Sequence, residues 1–154
     1  MLAVLAIAGA VLYLINSDNS VETENLVIKD SNTGKIIGKW PLAESGEFAI
    51  EFIHSVNQSP VRENFVIENG NLRLHSVRFY SYGAGIQTSL DEGQILGRDG
   101  DAMIITGYTN SFKELYYIIG TVSDHILYIN NEIINLRELA ERPGGNVHIS
   151  ILYR

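Results

Sequence analysis

The densest run of side chains able to do chemistry is His54-Ser-Val-Asn-Gln-Ser-Pro-Val-Arg-Glu63. An imidazole, two hydroxyls, a guanidinium and a carboxylate so close in sequence could act as base, nucleophile and orienter, or as a clamp for a ligand. Asn69-Gly70, just downstream, is a strong signal for a type I′ hairpin. Counting back from that turn pairs Ile67 with Leu72, Phe65 with Leu74 and Glu63 with Ser76, with Arg78 next on the same face. Period-two phasing puts His54 beyond Phe52, on the core face of its own strand. His54, Glu63, Ser76 and Arg78 are therefore expected to converge at one end of an apolar interior.

Three uses compete for that cluster. The first is a polar plug, in which His54 and Glu63 tie down the loop Ser55–Arg62 and each satisfies the other. The second is a ligand or partner pocket at the sheet end. The third is catalysis, with Ser55 or Ser59 as nucleophile, His54 as base and Glu63 as orienter. The third is the weakest, because a serine directly after His54 on a strand points to the opposite face and no G-x-S-x-G elbow occurs. The ligand-binding set is thus His54, Ser55, Ser59, Glu63, Ser76 and Arg78, together with Tyr82, Gly83 and Gly85 of the neighbouring loop. That loop, Ser81–Gly85, does not open a helix and so is no phosphate cradle. Its glycines suit positive φ or a close backbone crossing under Phe79, Tyr80 and Tyr82.

No metal site or cofactor is expected. His75 and His148 are out of phase with the inward residues of their segments, and Asp99-Gly-Asp101 lacks calcium-loop spacing and reads as an Asp-Gly turn. The chain has no cysteine, which removes disulfides, zinc-thiolate sites and thiol nucleophiles. Eleven basic residues against 18 acidic ones give a net charge of −7, a poor match to nucleic acid or to anionic headgroups.

The elements that must position the cluster are strands. Ser31-Asn-Thr-Gly34 separates Leu26–Ile28 from Ile36-Ile37 and marks a first hairpin. Phe48, Ile50 and Phe52 alternate with polar or small residues, as do Phe65 and Ile67, and Leu72–Tyr80 forms the return strand. Further strands are expected at Ala102–Thr106, Leu115–Ile119, Ile126–Ile129, Glu132–Ile134 and Val147–Tyr153, with a tight turn at Asn130-Asn131. Only Leu136–Arg142 is helical in character, and Pro143-Gly144-Gly145 ends it. The fold class is all-β, an antiparallel sandwich or partly closed barrel with one short helix near the C-terminus, preceded by an N-terminal hydrophobic helix.

Met1–Ile15 is free of charge and is followed by polar Asn16–Ser20. As a helix it would span about 22 Å, against about 30 Å of hydrocarbon. The expected organisation is a hydrophobic membrane anchor or signal segment at 1–16, a linker at 17–25 and a single extracytoplasmic β domain at 26–154. An uncleaved anchor is the first reading, a cleaved signal of an exported protein the second, and a buried helix of a soluble protein the third.

These segments also carry a resemblance. F-x-I-E-F-I-H-S-V-x-x-S-P-V-x-E-x-F at Phe48–Phe65, N-G-N-L-R-L after it and R-F-Y-S-Y-G-A-G at Arg78–Gly85 resemble domain-of-unknown-function family 1850. The likeness runs from about Leu26 to the final V-H-I-S-I-L, with Ile86-Gln87 standing where the family usually has a small apolar residue and Pro. The resemblance implies a short, N-terminally anchored or exported protein, often encoded beside TRAP transporters of the TAXI type, and no established activity. The chain is accordingly expected to be a non-catalytic, membrane-tethered extracytoplasmic domain, an accessory of a TRAP-type solute transporter with transporter subunits as partners. A small-molecule or cation-binding module using the His54/Glu63/Arg78 end is the alternative, and a serine hydrolase the remote one.

Overall fold

The computed structural model describes residues 24–82, 86–120, 123–140 and 144–153. The hydrophobic segment expected at 1–16 lies outside the described residues, among which no helix is long and apolar enough to cross a membrane. In chain order the strands are β1 (Asn25–Asp30), β2 (Ile36–Pro41), β3 (Glu47–Ile53), β4 (Pro60–Glu68), β5 (Asn71–Phe79) and β6 (Ile95–Asp99). They continue as β7 (Ala102–Thr106), β8 (Ser111–Phe112), β9 (Glu114–Ile118), β10 (His125–Ile129), β11 (Glu132–Asn135) and β12 (Asn146–Leu152), with helix α1 at Leu136–Leu139.

Among the described residues all pairings are antiparallel and fall into two sheets. The smaller has the order β2-β1-β12-β9, and the larger runs β11-β10-β3-β4-β5-β7-β6, with β8 on β5. The sheets face each other as a sandwich and, among the described residues, do not close into a barrel. Leu26, Ile28, Leu115, Val147 and Ile149 of the small sheet meet Phe48, Ile50, Phe65, Leu72, Leu127 and Ile129 of the large one. The Phe48 and Phe65 rings stack at 5.1 Å between centroids. Each such side chain removed from water contributes roughly 1.5–3 kcal/mol, so this layer holds the two sheets together. A second cluster, Val61, Phe79, Met103 and Ile105, comes from the large sheet, with Ile86 and Tyr108 of the loops packed on it.

The turns follow from local chemistry. Asn69 and Gly70 have φ of 50° and 69°, and Asn130 and Asn131 have 49° and 65°, as the type I′ hairpins expected at both places require. Helix α1 is a single turn, shorter than the expected Leu136–Arg142. Asn135 caps it by accepting from the Arg137 amide at 2.9 Å and donates to Asp124 at 3.0 Å. Strand β6 carries no inward apolar alternation and is exposed along its whole length. It exists because Asp99-Gly100 folds it back onto β7.

One irregularity decides where the site residues go. Between β4 and β5, Phe65 pairs with Leu74 as expected, but Asn64 rather than Glu63 pairs with Ser76. His75 is an extra residue with no partner, a β-bulge that inverts the phase of everything after it. Leu72 and Leu74 face the core, and so do Val77 and Phe79; Ser76 and Arg78 face outward. The expected convergence of Ser76 and Arg78 with His54 and Glu63 is overturned by that single inserted residue.

Candidate functional site

Glu63 sits on β4 between Val61 and Phe65, in the inward phase, opposite Ile50 on one side and Val77 on the other. A carboxylate in that position needs a donor, because leaving it unpaired costs more than most single contacts supply. The donor is Tyr117 of β9, in the other sheet, whose hydroxyl lies 2.6 Å from Glu63 Oε2. Burial pushes the Glu63 carboxyl above the ordinary carboxylate range, and the Tyr117 hydrogen bond offsets only part of that. Burial, then the Glu63 charge, pushes the Tyr117 hydroxyl up as well, so it stays a donor at any physiological pH.

Tyr117 is held by aromatic packing. Its ring meets that of His125 edge-on at 5.8 Å, and His125 stacks on Phe52 at 5.3 Å. Burial depresses the His125 pKa; Asp124 works against that and Arg137 with it. A row of Phe52, His125, Tyr117 and Glu63 therefore joins the two sheets beside the main core.

The Glu63 carboxyl opens on a cavity of about 330 Å³. Phe52, Val61, Leu74, Val77, Phe79, Ile86 and Ile105 supply its apolar walls, and His54, Glu63, Gln87 and Tyr108 its polar groups. Gln87 is fixed by three partners: its amide nitrogen donates to Ser89 O at 2.7 Å and to Gln94, and its oxygen accepts from the Tyr108 hydroxyl at 3.2 Å. Burial first, then the charges of Glu63 and Asp91, raises the Tyr108 pKa. The volume is at the lower end of small-molecule sites, about 300–1,000 Å³, and the pattern of apolar walls with a few converging polar groups is theirs too.

His54 reaches this cavity from the end of β3, as its phase required. Its Nδ1 accepts from the backbone amides of Val56 at 3.2 Å and Asn57 at 3.3 Å. His54 N donates to Ser59 O, and Gln58 N donates back to His54 O, both at 2.9 Å. The imidazole thus organises its own loop. Two donors on Nδ1 leave the neutral ring with its proton on Nε2, the wrong tautomer for accepting a proton there. Among the described residues no hydrogen bond joins His54 to Glu63.

The remaining expected residues are spread over other surfaces. Ser55 lines a different depression with Gln58, Ser123 and Asp124. Ser59 Oγ lies 3.2 Å from Ser81 Oγ, and Asn57 donates to Ser81 O, so this loop is fastened to the one after β5. Ser76 accepts from Asn64 at 3.0 Å on the outer face, and Arg78 pairs there with Asp99. Tyr82 is exposed and meets the Phe79 ring edge-on at 5.4 Å. Gly83 and Gly85 lie outside the described residues. Among the described residues no three His, Asp or Glu side chains gather as a metal site.

Tyr117, Gln87 and Tyr108 were not among the expected site residues. Tyr117 had a readable signal, since Leu115, Tyr117 and Ile119 share one phase and Leu115 and Ile119 are core residues. Gln87 and Tyr108 come from loops without periodicity, and nothing local marks them.

No curated protein and no solved structure matches this chain. The sequence model of a family described as a domain of unknown function, DUF1850, matches residues 48–136, more than half of the chain and every residue that lines the Glu63 cavity. The chain belongs to the DUF1850 domain family.

Proposed function

We propose that this chain is a non-catalytic binding domain that takes a small apolar molecule bearing an amine into the Glu63 cavity. The domain is carried outside the cell membrane by the N-terminal segment and serves a TRAP-type solute transporter, as the family likeness implies. The observation that carries the binding reading is a carboxyl group opening on an apolar cavity with Tyr117 as its hydrogen-bonding partner. A carboxylate held there at a desolvation cost is stabilised by any ligand that brings a positive charge or a donor to it. Ser55 lines a different depression and the Ser59 hydroxyl is engaged by that of Ser81, which supports the non-catalytic part.

Thermal unfolding with cyclohexylamine, cyclohexanol and cyclohexanecarboxylate tests it. The amine should raise the melting temperature, since a ligand at a hundred times its Kd adds about 2.7 kcal/mol. The alcohol should act weakly and the carboxylate not at all, and Glu63→Gln should abolish the amine effect. Indifference to all three ligands, or an amine effect that survives in Glu63→Gln, contradicts the reading. Recovery of transporter subunits with the tagged chain from membranes tests the setting separately.

A further inference from the structure

The outer face of the large sheet carries a second arrangement, independent of the cavity. Arg62 on β4 and Arg78 on β5 stand directly opposite one another there. Like charges in that relation cost stability. A chain with 18 acidic residues has carboxylates enough to neutralise both. Arg78 has such a partner, Asp99, at 2.5 Å. Arg62 takes part in none of the ion pairs among the described residues.

The Arg62 guanidinium is fixed by other means. It lies 4.1 Å over the ring of Tyr128, and its Nε donates to Asn64 Oδ1 at 3.3 Å. Asn64 is itself fixed by donating to Ser76, which is only 8% exposed. Glu51 of β3 pairs directly opposite Arg62 but makes no ion pair with it; its carboxylate accepts from the Tyr128 hydroxyl at 3.2 Å. The two terminal nitrogens of Arg62 are therefore held in place with no hydrogen-bond partner among the described residues. Arg62 lines an open cavity of about 440 Å³ together with Glu51, Ser76, Arg78 and Tyr80.

We propose that this groove binds a small organic carboxylate, received by the planar fork of Arg62 and flanked by Arg78. A stacked, oriented guanidinium matches a carboxylate in two parallel hydrogen bonds. An anion between the two arginines also offsets their mutual repulsion. Asp99 and Glu51 already offset part of the positive charge, which favours a singly charged carboxylate over a doubly charged phosphate. The His75 bulge is what creates the groove, because with His75 in regular pairing Ser76 and Arg78 would point into the sandwich.

The test follows the arginine Nε–H signals by NMR in the detergent-solubilised full chain. Butyrate and inorganic phosphate are titrated separately at constant ionic strength, with chloride as the balance. Butyrate should shift the Arg62 and Arg78 signals saturably, and Arg62→Lys should weaken binding about tenfold although it keeps the charge. Glu63→Gln should leave the response intact, which separates this site from the interior one. Shifts no larger than chloride alone produces, undiminished binding in Arg62→Lys, or tighter binding of phosphate than of butyrate each overturn the proposal. Should Arg62→Lys fail to fold, the wild-type titrations still decide.

Discussion

Replacing Tyr117 by Phe removes one hydroxyl and leaves the ring that packs against His125. The hydroxyl lost is the one that donates to Glu63 Oε2 at 2.6 Å. Hydrogen bonds to charged groups contribute about 1.5–3 kcal/mol. The expected loss above neutral pH is therefore about 2 kcal/mol, a fall of roughly 5–10 °C in melting temperature for a domain of this size. The sign with pH follows from linkage. A carboxyl whose pKa is raised on folding binds its proton more tightly in the folded chain, so stability falls as pH rises from the ordinary value of 4.5 through the raised one. Tyr117→Phe removes the influence that lowers this pKa, so its destabilisation should be small in acid and full in alkali. Urea denaturation of wild type, Tyr117→Phe, Glu63→Gln and the double variant at acid and alkaline pH measures both effects. The cycle should give a coupling of about 0.5–3 kcal/mol at alkaline pH. A loss that is the same at both pH values, or additive with Glu63→Gln, would refute the claim that the hydroxyl serves an ionised, buried carboxylate.

Glu63→Gln keeps an acceptor for Tyr117 and removes a charge that folding desolvates. It should be at least as stable as wild type above neutral pH, and its denaturation midpoint should lose the downward slope with pH. In that variant the depressed pKa of His125 becomes visible. Its unfolded state takes up the proton first, so stability should be complete above the ordinary value of 6.5 and fall as pH drops below it. Phe79, fully buried beside the cavity, should cost about 3–5 kcal/mol when replaced by Ala in equilibrium denaturation. Deleting His75 should leave equilibrium unfolding cooperative, because it makes the pairing regular while Leu74, Val77 and Phe79 stay inward and Ser76 and Arg78 stay outward.

Most of the large sheet was legible because its strands alternate and its hairpins carry Asn-Gly and Asn-Asn turns. Phe48, Ile50 and Phe65 announce one buried face, and His54 and Glu63 reach the same cavity by simple phase counting. The bulge was not legible. Nothing in Leu74-His75-Ser76 distinguishes an inserted residue from a paired one, because a bulge is a property of two strands together. The partner of Glu63 was hidden for a similar reason: Tyr117 lies in the opposite sheet, 54 residues away, and only the stacking of the sheets brings it there. Strand β6 escaped notice because Ile95, Leu96 and Gly97 are all exposed and so carry no burial rhythm.

The most direct measurement is an NMR titration of the isotope-labelled Glu63 carboxyl carbon, with and without cyclohexylamine. A buried carboxyl facing a ligand cavity should titrate above the ordinary carboxylate range when alone, and its pKa should drop once the ammonium group binds. A Glu63 that titrates like an exposed side chain and ignores the amine would contradict the account.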